Sequence, residues 1–542
     1  RRLEPVIGEA PRRRTQQRIA PRGGIRRTPS AARGRSVLTF ARHASYMYEC
    51  TYNAKSGLSG ERIILMRHGI TRRAALFNLS AASLIALPGC ASIQPDPNSR
   101  EDQLTGALDG TVIDAFFYAF GPYEFARSMQ ALSGQIDVGD TLVSEEALAD
   151  AAKRARDTNV LINRHIHVRD LADERIRSVT APNNDTLYTS AVLELSKTPV
   201  RLTLPDSGDR YLSVALMDMF TDQTMVGHAE NGGRAGTYLI VGPDSPVKDG
   251  PDVIRMPSND VWLLARTFVA GVDDLDAARA VQSGIVVEPV DTKAKPEVFT
   301  TLAPPEMEPH SFLALTNEVL GRSPSHPQVA RAAKFADKGI VPGDLSVWDG
   351  LSLRSRAAWD AWLPRSLDML RKGLSRSQDK PGWNAPPLIL GDYGNNDLVR
   401  AAIALIGFGA LKTKDARYFR TETDAKGDGL TGDAAYEMVI PAAGVPVKAF
   451  WSLSVYKPDA DGRLFFFKVP IDRHSINSGS SNLVKRADGS IVLHLSRNRP
   501  EAKDVVWVPT PDGPFEAIFR TYRPEDPVID GSWTVPPLEK QR

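Results

Sequence analysis

From Ala91 to the end of this 542-residue chain there is no cysteine. The only two, Cys50 and Cys90, fall in the first 90 residues. Disulfides, iron–sulfur clusters, thiolate zinc sites and cysteine nucleophiles are therefore excluded from the main body of the protein. Other absences narrow the chemistry further. There is no Walker lysine loop, EF-hand or HExxH, and "NSGSSN" (477–482) lacks the spacing of a nucleophile elbow. "GFGALK" (407–412) partly imitates a nucleotide loop but reads as the interior of an apolar helix. No cofactor is named by any motif, no metal site is expected, and no tandem repeat of short period is visible.

Charge is unevenly spread. The first 90 residues hold 17 Lys and Arg against 4 Asp and Glu, leaving 50 against 61 in the remainder, a balance of about −11. A nucleic-acid partner based on bulk charge is thereby excluded. Residues 1–65, dense in Arg, Pro, Gly and Ser, cannot bury enough apolar surface to fold. The favoured reading is upstream sequence before a true start at Met66; the rival is an Arg-rich arm for nucleic acid or a membrane surface.

Residues 66–90 have the charged, apolar and small-residue regions of a signal peptide, and "TRRAALF" (71–77) matches the core of a twin-arginine signal. Its apolar stretch is too short to span a bilayer. "LPGC" (87–90) resembles a lipobox that would place a lipid on Cys90, with ordinary cleavage after Ala91 as the alternative. The expectation is a protein of the bacterial periplasm or envelope that uses the twin-arginine export machinery and meets the membrane only through a lipid anchor.

After a tether (91–104), apolar residues spaced three and four apart predict a helix over 111–129, kinked or broken at Gly121-Pro122, and a polar helix over 144–157. From 180 the period becomes two. "TLYTSAVLEL" sets Leu187, Ala191 and Leu193 against Tyr188, Ser190 and Glu194, and Tyr211–Met217 is apolar on both faces, as in a central strand. Residues 300–415 read as helical, with Asn395, Asn396 or Asp397 capping the last helix. The final block alternates again, Trp451, Leu453 and Val455 inward against Ser452, Ser454 and Tyr456, with Arg520 and Tyr522 outward on another strand. The fold class is mainly β with a helical connector (α+β), as two β-sandwich-like domains over 105–300 and 416–537, joined by 301–415.

The runs "PNNDTLYTSAVLELSKTPVRLTLPDSGDRYLSVALMDMFTD" (182–222), "KAFWSLSVY" (448–456) and "DRHSIN" (472–477) carry a family resemblance. The first resembles the module called domain of unknown function 1254. The others resemble domain of unknown function 1214. Together they cover about 110 to 535, and the resemblance implies a pair of sandwich-like domains without implying a reaction. It also marks His474 as a departure, since family members commonly carry Tyr there.

Three clusters are candidate chemistry. In Pro182–Tyr188, Asn183, Asn184 and Asp185 either start a strand by bonding their own backbone or face a cleft, with Asp185 as base and Tyr188 as proton donor. A turn-holding Asp185 should bond backbone N–H groups; a catalytic one should open to a pocket. His165 and His167 share a strand face, with His167 the better candidate for catalysis. Arg473, His474 and Asn477 on one loop, and Arg520, would clamp an anionic ligand or pin the domain seam. Two hypotheses follow: an envelope enzyme with a small-molecule site between the sandwiches, or a non-catalytic ligand-binding or structural envelope lipoprotein. Self-association is left open.

Overall fold

The computed structural model describes residues 110–136, 161–177, 179–376, 382–460, 462–471 and 473–542. The Arg-rich arm, the leader with Cys90, the tether and the helix expected over 144–157 lie outside the described residues. Among those described, eighteen strands form four sheets, paired as two β-sandwiches.

In the first sandwich an antiparallel sheet runs in the order β1 (Arg164–Val168), β2 (Thr186–Glu194), β8 (Asp260–Phe268), β4 (Leu212–Met217), β5 (Gln223–Gly227). The opposing sheet is β7 (Val253–Arg255), β6 (Gly236–Val241), β3 (Val200–Leu204), β9 (Val286–Pro289). Leu193, Leu202, Val214, Ile240 and Leu263 fill the space between them, each burial worth about 1.5–3 kcal/mol. All six residues of β4 are buried, as expected for an interior strand. The turn at Pro205–Asp209 carries the chain from one sheet to the other.

The second sandwich has β10 (Ala416–Thr421), β17 (Glu516–Pro524), β12 (Val447–Pro458) and β13 (Leu464–Phe465) in one sheet, with β14 (Ser475–Asn477) also on β12. Its partner is β16 (Val506–Pro509), β15 (Ile491–Ser496), β11 (Tyr436–Ile440), β18 (Glu539–Lys540). Trp451, Leu453, Leu493 and Phe519 lie in the core between them.

These two sandwiches have one topology. β2-β8-β4-β5 corresponds to β10-β17-β12-β14, and β7-β6-β3-β9 to β16-β15-β11-β18, in the same chain order. Even the exceptions agree: β6 with β7 and β15 with β16 are the parallel pairs. Residues follow the strands. Tyr188, Arg266 and Ser213 sit directly across from one another on the first sheet. Tyr418, Arg520 and Ser452 form the same row on the second. "DTLY" (185–188) and "RTF" (266–268) thus match "DARY" (415–418) and "RTY" (520–522). The chain holds a long-period repeat that the search for short periods missed.

Helices form a third body. α1 (Gly110–Leu132) packs with α3 (Pro309–Gly321), α4 (Leu353–Arg376) and α5 (Asp397–Ile406) around Phe116, Phe120, Phe312 and Trp359; α2 (Leu275–Ser283) lies apart, on the first sandwich. α1 continues through Pro122, so the expected break does not occur. Its burial among the other helices offsets the interior proline, and Gly121 leaves room for Arg400, whose Cδ would lie 2.8 Å from a Cβ there. α5 starts at Asn396, whose side chain accepts the Val399 N–H, and ends at Ile406. "GFGALK" therefore lies beyond the helix, not inside it; Gly409 sits at φ +84° against the Trp262 ring.

Candidate functional site

The faces that read as outward in sequence meet each other. β2, β8 and β4 turn Tyr188, Arg266, Phe268, Ser213 and Ala215 towards Tyr418, Phe450, Ser452, Arg520 and Tyr522 of the second sandwich, with Phe450 stacked on Tyr522 at 4.1 Å. Every residue from Ala181 to Asp185 bonds across this seam or to a neighbouring loop. The Ala181 carbonyl accepts from Arg520 and the Pro182 carbonyl from the Tyr456 hydroxyl. Asn183 takes the Asp185 N–H on Oδ1, an Asx turn, and donates to the Tyr522 hydroxyl at 2.7 Å. Asn184 donates to the Ala172 carbonyl and accepts the His474 N–H. Three Asx residues in a row thus have three different tasks.

Asp185 is fully buried. Its Oδ1 accepts from Ser475 Oγ at 2.6 Å and Asn477 Nδ2 at 3.0 Å; Oδ2, like the nearby Ser452 Oγ, has no partner. Burial pushes its carboxyl above the usual range, against the pull of the Ser475 and Asn477 donors. This is neither a turn-holding carboxylate on backbone N–H groups nor one that opens to a pocket. It is a tie between the sandwiches.

The two matched arginines differ. Arg520 donates to Ser454 Oγ, the Tyr456 hydroxyl and the Ala181 carbonyl. Arg266 donates to the Gly409 carbonyl at 2.6 Å, and its Nη1 has no partner. Tyr188 is half-buried, with the Arg266 guanidinium 5.4 Å from its ring centroid. Arg266 was not singled out in sequence; its match with Arg520 through the Arg-Thr-aromatic triplet was the available signal.

Family models match the two sandwiches one each. The model described as "Protein of unknown function (DUF1254)" covers residues 162–289, and that described as "Protein of unknown function (DUF1214)" covers 415–526. Each stretch is thus similar to one of these two families, in the order DUF1254 then DUF1214. Among solved structures it is similar to the VPA0106 protein from Vibrio parahaemolyticus, at 20% identity and a TM-score of 0.57, over 80% of this chain and 100% of that one. That likeness concerns the fold. A putative uncharacterized protein from Burkholderia cenocepacia aligns at 14% identity and a TM-score of 0.38, over 81% and 98% of the two chains. No curated protein matches.

The remaining candidates are not gathered at Asp185. His167 pairs across from Thr189, so it lies on the opposite face of the sheet from Tyr188. Its Nδ1 is 2.8 Å from Thr189 Oγ1, and its ring is 4.6 Å from that of His165, which accepts the Val287 N–H. Among the described residues no group of three or more His, Cys, Asp or Glu could hold a metal ion. Arg473 donates to Asn482 and to the Trp507 carbonyl, and burial beside Arg499 lowers its pKa to about 10. With His474 it lines a cavity of about 10 Å³, room for a single water.

His474 stacks on Phe466 and places Nε2 3.2 Å from Glu174. Burial holds its pKa below the ordinary histidine value, outweighing Glu174 and Asp173. A folded pKa below the unfolded one means that the unfolded chain takes up the proton first, so stability falls as pH drops through the ordinary histidine value near 6.5. His474→Tyr, which removes the titrating group, should flatten that acid limb. Thermal melts of both proteins between pH 8 and 5 test this; parallel curves would refute it.

Proposed function

We propose that this is an exported bacterial envelope protein that holds a small molecule without transforming it. The observation that carries the reading is the state of the seam. The candidate acid and its donors bond one another, Asp185 has no exposed surface, and the cavity at Arg473 admits only a water. A general base must reach the proton that it abstracts. Export rests on the "TRRAALF" leader, and anchoring on Cys90.

Native mass spectrometry of the protein expressed from Met66 and recovered from the envelope is the test. The expected spectrum shows a chain processed to a lipid-bearing Cys90 and, beyond that covalent mass, a retained organic molecule that is lost on denaturation. Lys at both Arg72 and Arg73 should abolish its recovery from the envelope. A bare polypeptide would leave a purely structural role.

A second reading keeps a reactive site within the seam. The unpartnered Asp185 Oδ2, Ser452 Oγ and Arg266 Nη1 favour it. Under that reading the retained mass disappears in Asp185→Asn.

A further inference from the structure

Because the two sandwiches share one topology, a gap in one can be read against the other. In the first, the chain leaving β8 forms α2, which packs on β2 and β8, with Ala278 and Leu275 against Leu187. The counterpart of Leu187 is Arg417: each lies one residue before the Tyr of its row, across from Thr267 and Thr521 respectively. The counterpart of α2 is the segment between β17 and β18, which makes one helical turn, Asp526–Asp530, and then continues without regular structure. No helix covers β10 there.

The result is a groove of about 470 Å³ walled by Trp383, Leu388, Phe419, Trp533 and Ile529, with Arg417 in its lining. That volume lies within the range of small-molecule sites. Trp383 and Trp533 each contact Phe519, at 6.3 Å between ring centroids, and the Trp383 Nε1 is already bonded to the Pro536 carbonyl. The walls therefore offer flat apolar surface. Arg417 donates Nη1 to the Pro386 carbonyl, but its buried Nε has no partner. Burial lowers its pKa, and no described carboxylate acts against that shift. Asp530, also in the lining, accepts the Ser532 N–H on Oδ1.

A half-buried cation with no carboxylate partner among the described residues, beside aromatic walls, is the arrangement that a planar organic anion completes. We infer that the groove between β10 and the segment after β17 binds a small aromatic or otherwise planar monocarboxylate, with its carboxylate on Arg417 and its apolar body between Trp383 and Trp533. A single charge matches the single arginine; a phosphate dianion would leave excess negative charge against an apolar wall. The inference rests on the ligand-binding reading above and gives it a place and a chemical class.

Benzoate is the probe, titrated into the full chain and followed by calorimetry, with benzamide as its neutral counterpart and inorganic phosphate as competitor. Saturable benzoate binding is expected, weaker by about tenfold or more for benzamide and unaffected by phosphate. Arg417→Met should weaken it to a similar extent, and Thr534→Trp, which adds a bulky ring to the groove lining, should abolish it. Undiminished binding in both variants would overturn the groove. Equal binding of benzamide, or competition by phosphate, would overturn the carboxylate class. Absence of any benzoate binding would overturn the inference altogether, while an organic mass retained in the native spectrum would still uphold the broader reading.

Discussion

Replacing Asp185 with Ala should lower the stability of the fold by about 2–4 kcal/mol, while Asn at the same position should be tolerated. Under the cleft-facing alternative that the sequence left open, the carboxylate could instead be removed within about 1 kcal/mol. In the structure the substitution strips Ser475 Oγ of its acceptor in a dry seam and leaves Asn477 Nδ2 only the Val269 carbonyl, and each lost buried bond of this kind costs about 1–3 kcal/mol. Asn keeps the Oδ1 acceptor. Its amide N–H₂, in place of Oδ2, supplies the donor that Ser452 Oγ lacks. A pH dependence follows with a definite sign. The folded pKa of Asp185 is raised, so the stability contributed by its protonated form is present below the unfolded value near 3.9 and is lost as pH rises through the folded one. Asp185→Asn should escape that loss, and its advantage over the parent should grow with pH across that interval. Urea melts of the three proteins at a series of pH values decide it. If Ala matched the parent at every pH, Asp185 would not be a tie between the sandwiches.

Strand phase was legible because alternation at period two fixes which residues share a face. Ala191 and Leu193 point into one sandwich, with Leu187 on the same face under α2, and Trp451, Leu453 and Val455 point into the other, as the pattern required. What covers the opposite face cannot be read from one strand. Ser452, Ser454 and Arg520 are polar and read as solvent-facing, yet Ser452 and Ser454 are fully buried and Arg520 is 4% exposed, because another polar face lies against them. The same limit hid the roles of Asn183, Asn184 and Asp185, whose partners stand up to 339 residues away. Local rules also failed where packing overrode them. Pro122 sits within a continuous helix, and the helix expected to contain "GFGALK" stops at Ile406, leaving Gly409 to meet Arg266. The duplication was visible in "DTLY" and "DARY" and in "RTF" and "RTY", but only once the strand order showed which segments to compare.

Arg520 and Arg266 occupy matched positions, and their removal should nonetheless have unequal effects. Arg520→Met leaves the Ala181 carbonyl, Ser454 Oγ and the Tyr456 hydroxyl without their donor. It also takes away the cation that opposes the rise in the Asp185 pKa. Breaking one side of a buried charged network typically costs about 3–5 kcal/mol, and that is the loss expected here. Arg266→Met gives up one bond, to the Gly409 carbonyl, and also removes a buried charge with an unpartnered Nη1. The two effects oppose each other, so a change within about 1 kcal/mol is expected. Coupling separates a shared network from two independent sites. In the Asp185→Asn background the carboxylate charge is already gone, so Arg520→Met should cost less than in the parent, by about 0.5–3 kcal/mol. Arg266→Met should cost the same in both backgrounds. Additive losses for Asp185 and Arg520 would mean that Arg520 only holds the Ala181 loop and that the seam is not one electrostatic unit. A large loss for Arg266→Met would show instead that the repeat kept both arginines for one purpose, the locking of its two halves face to face.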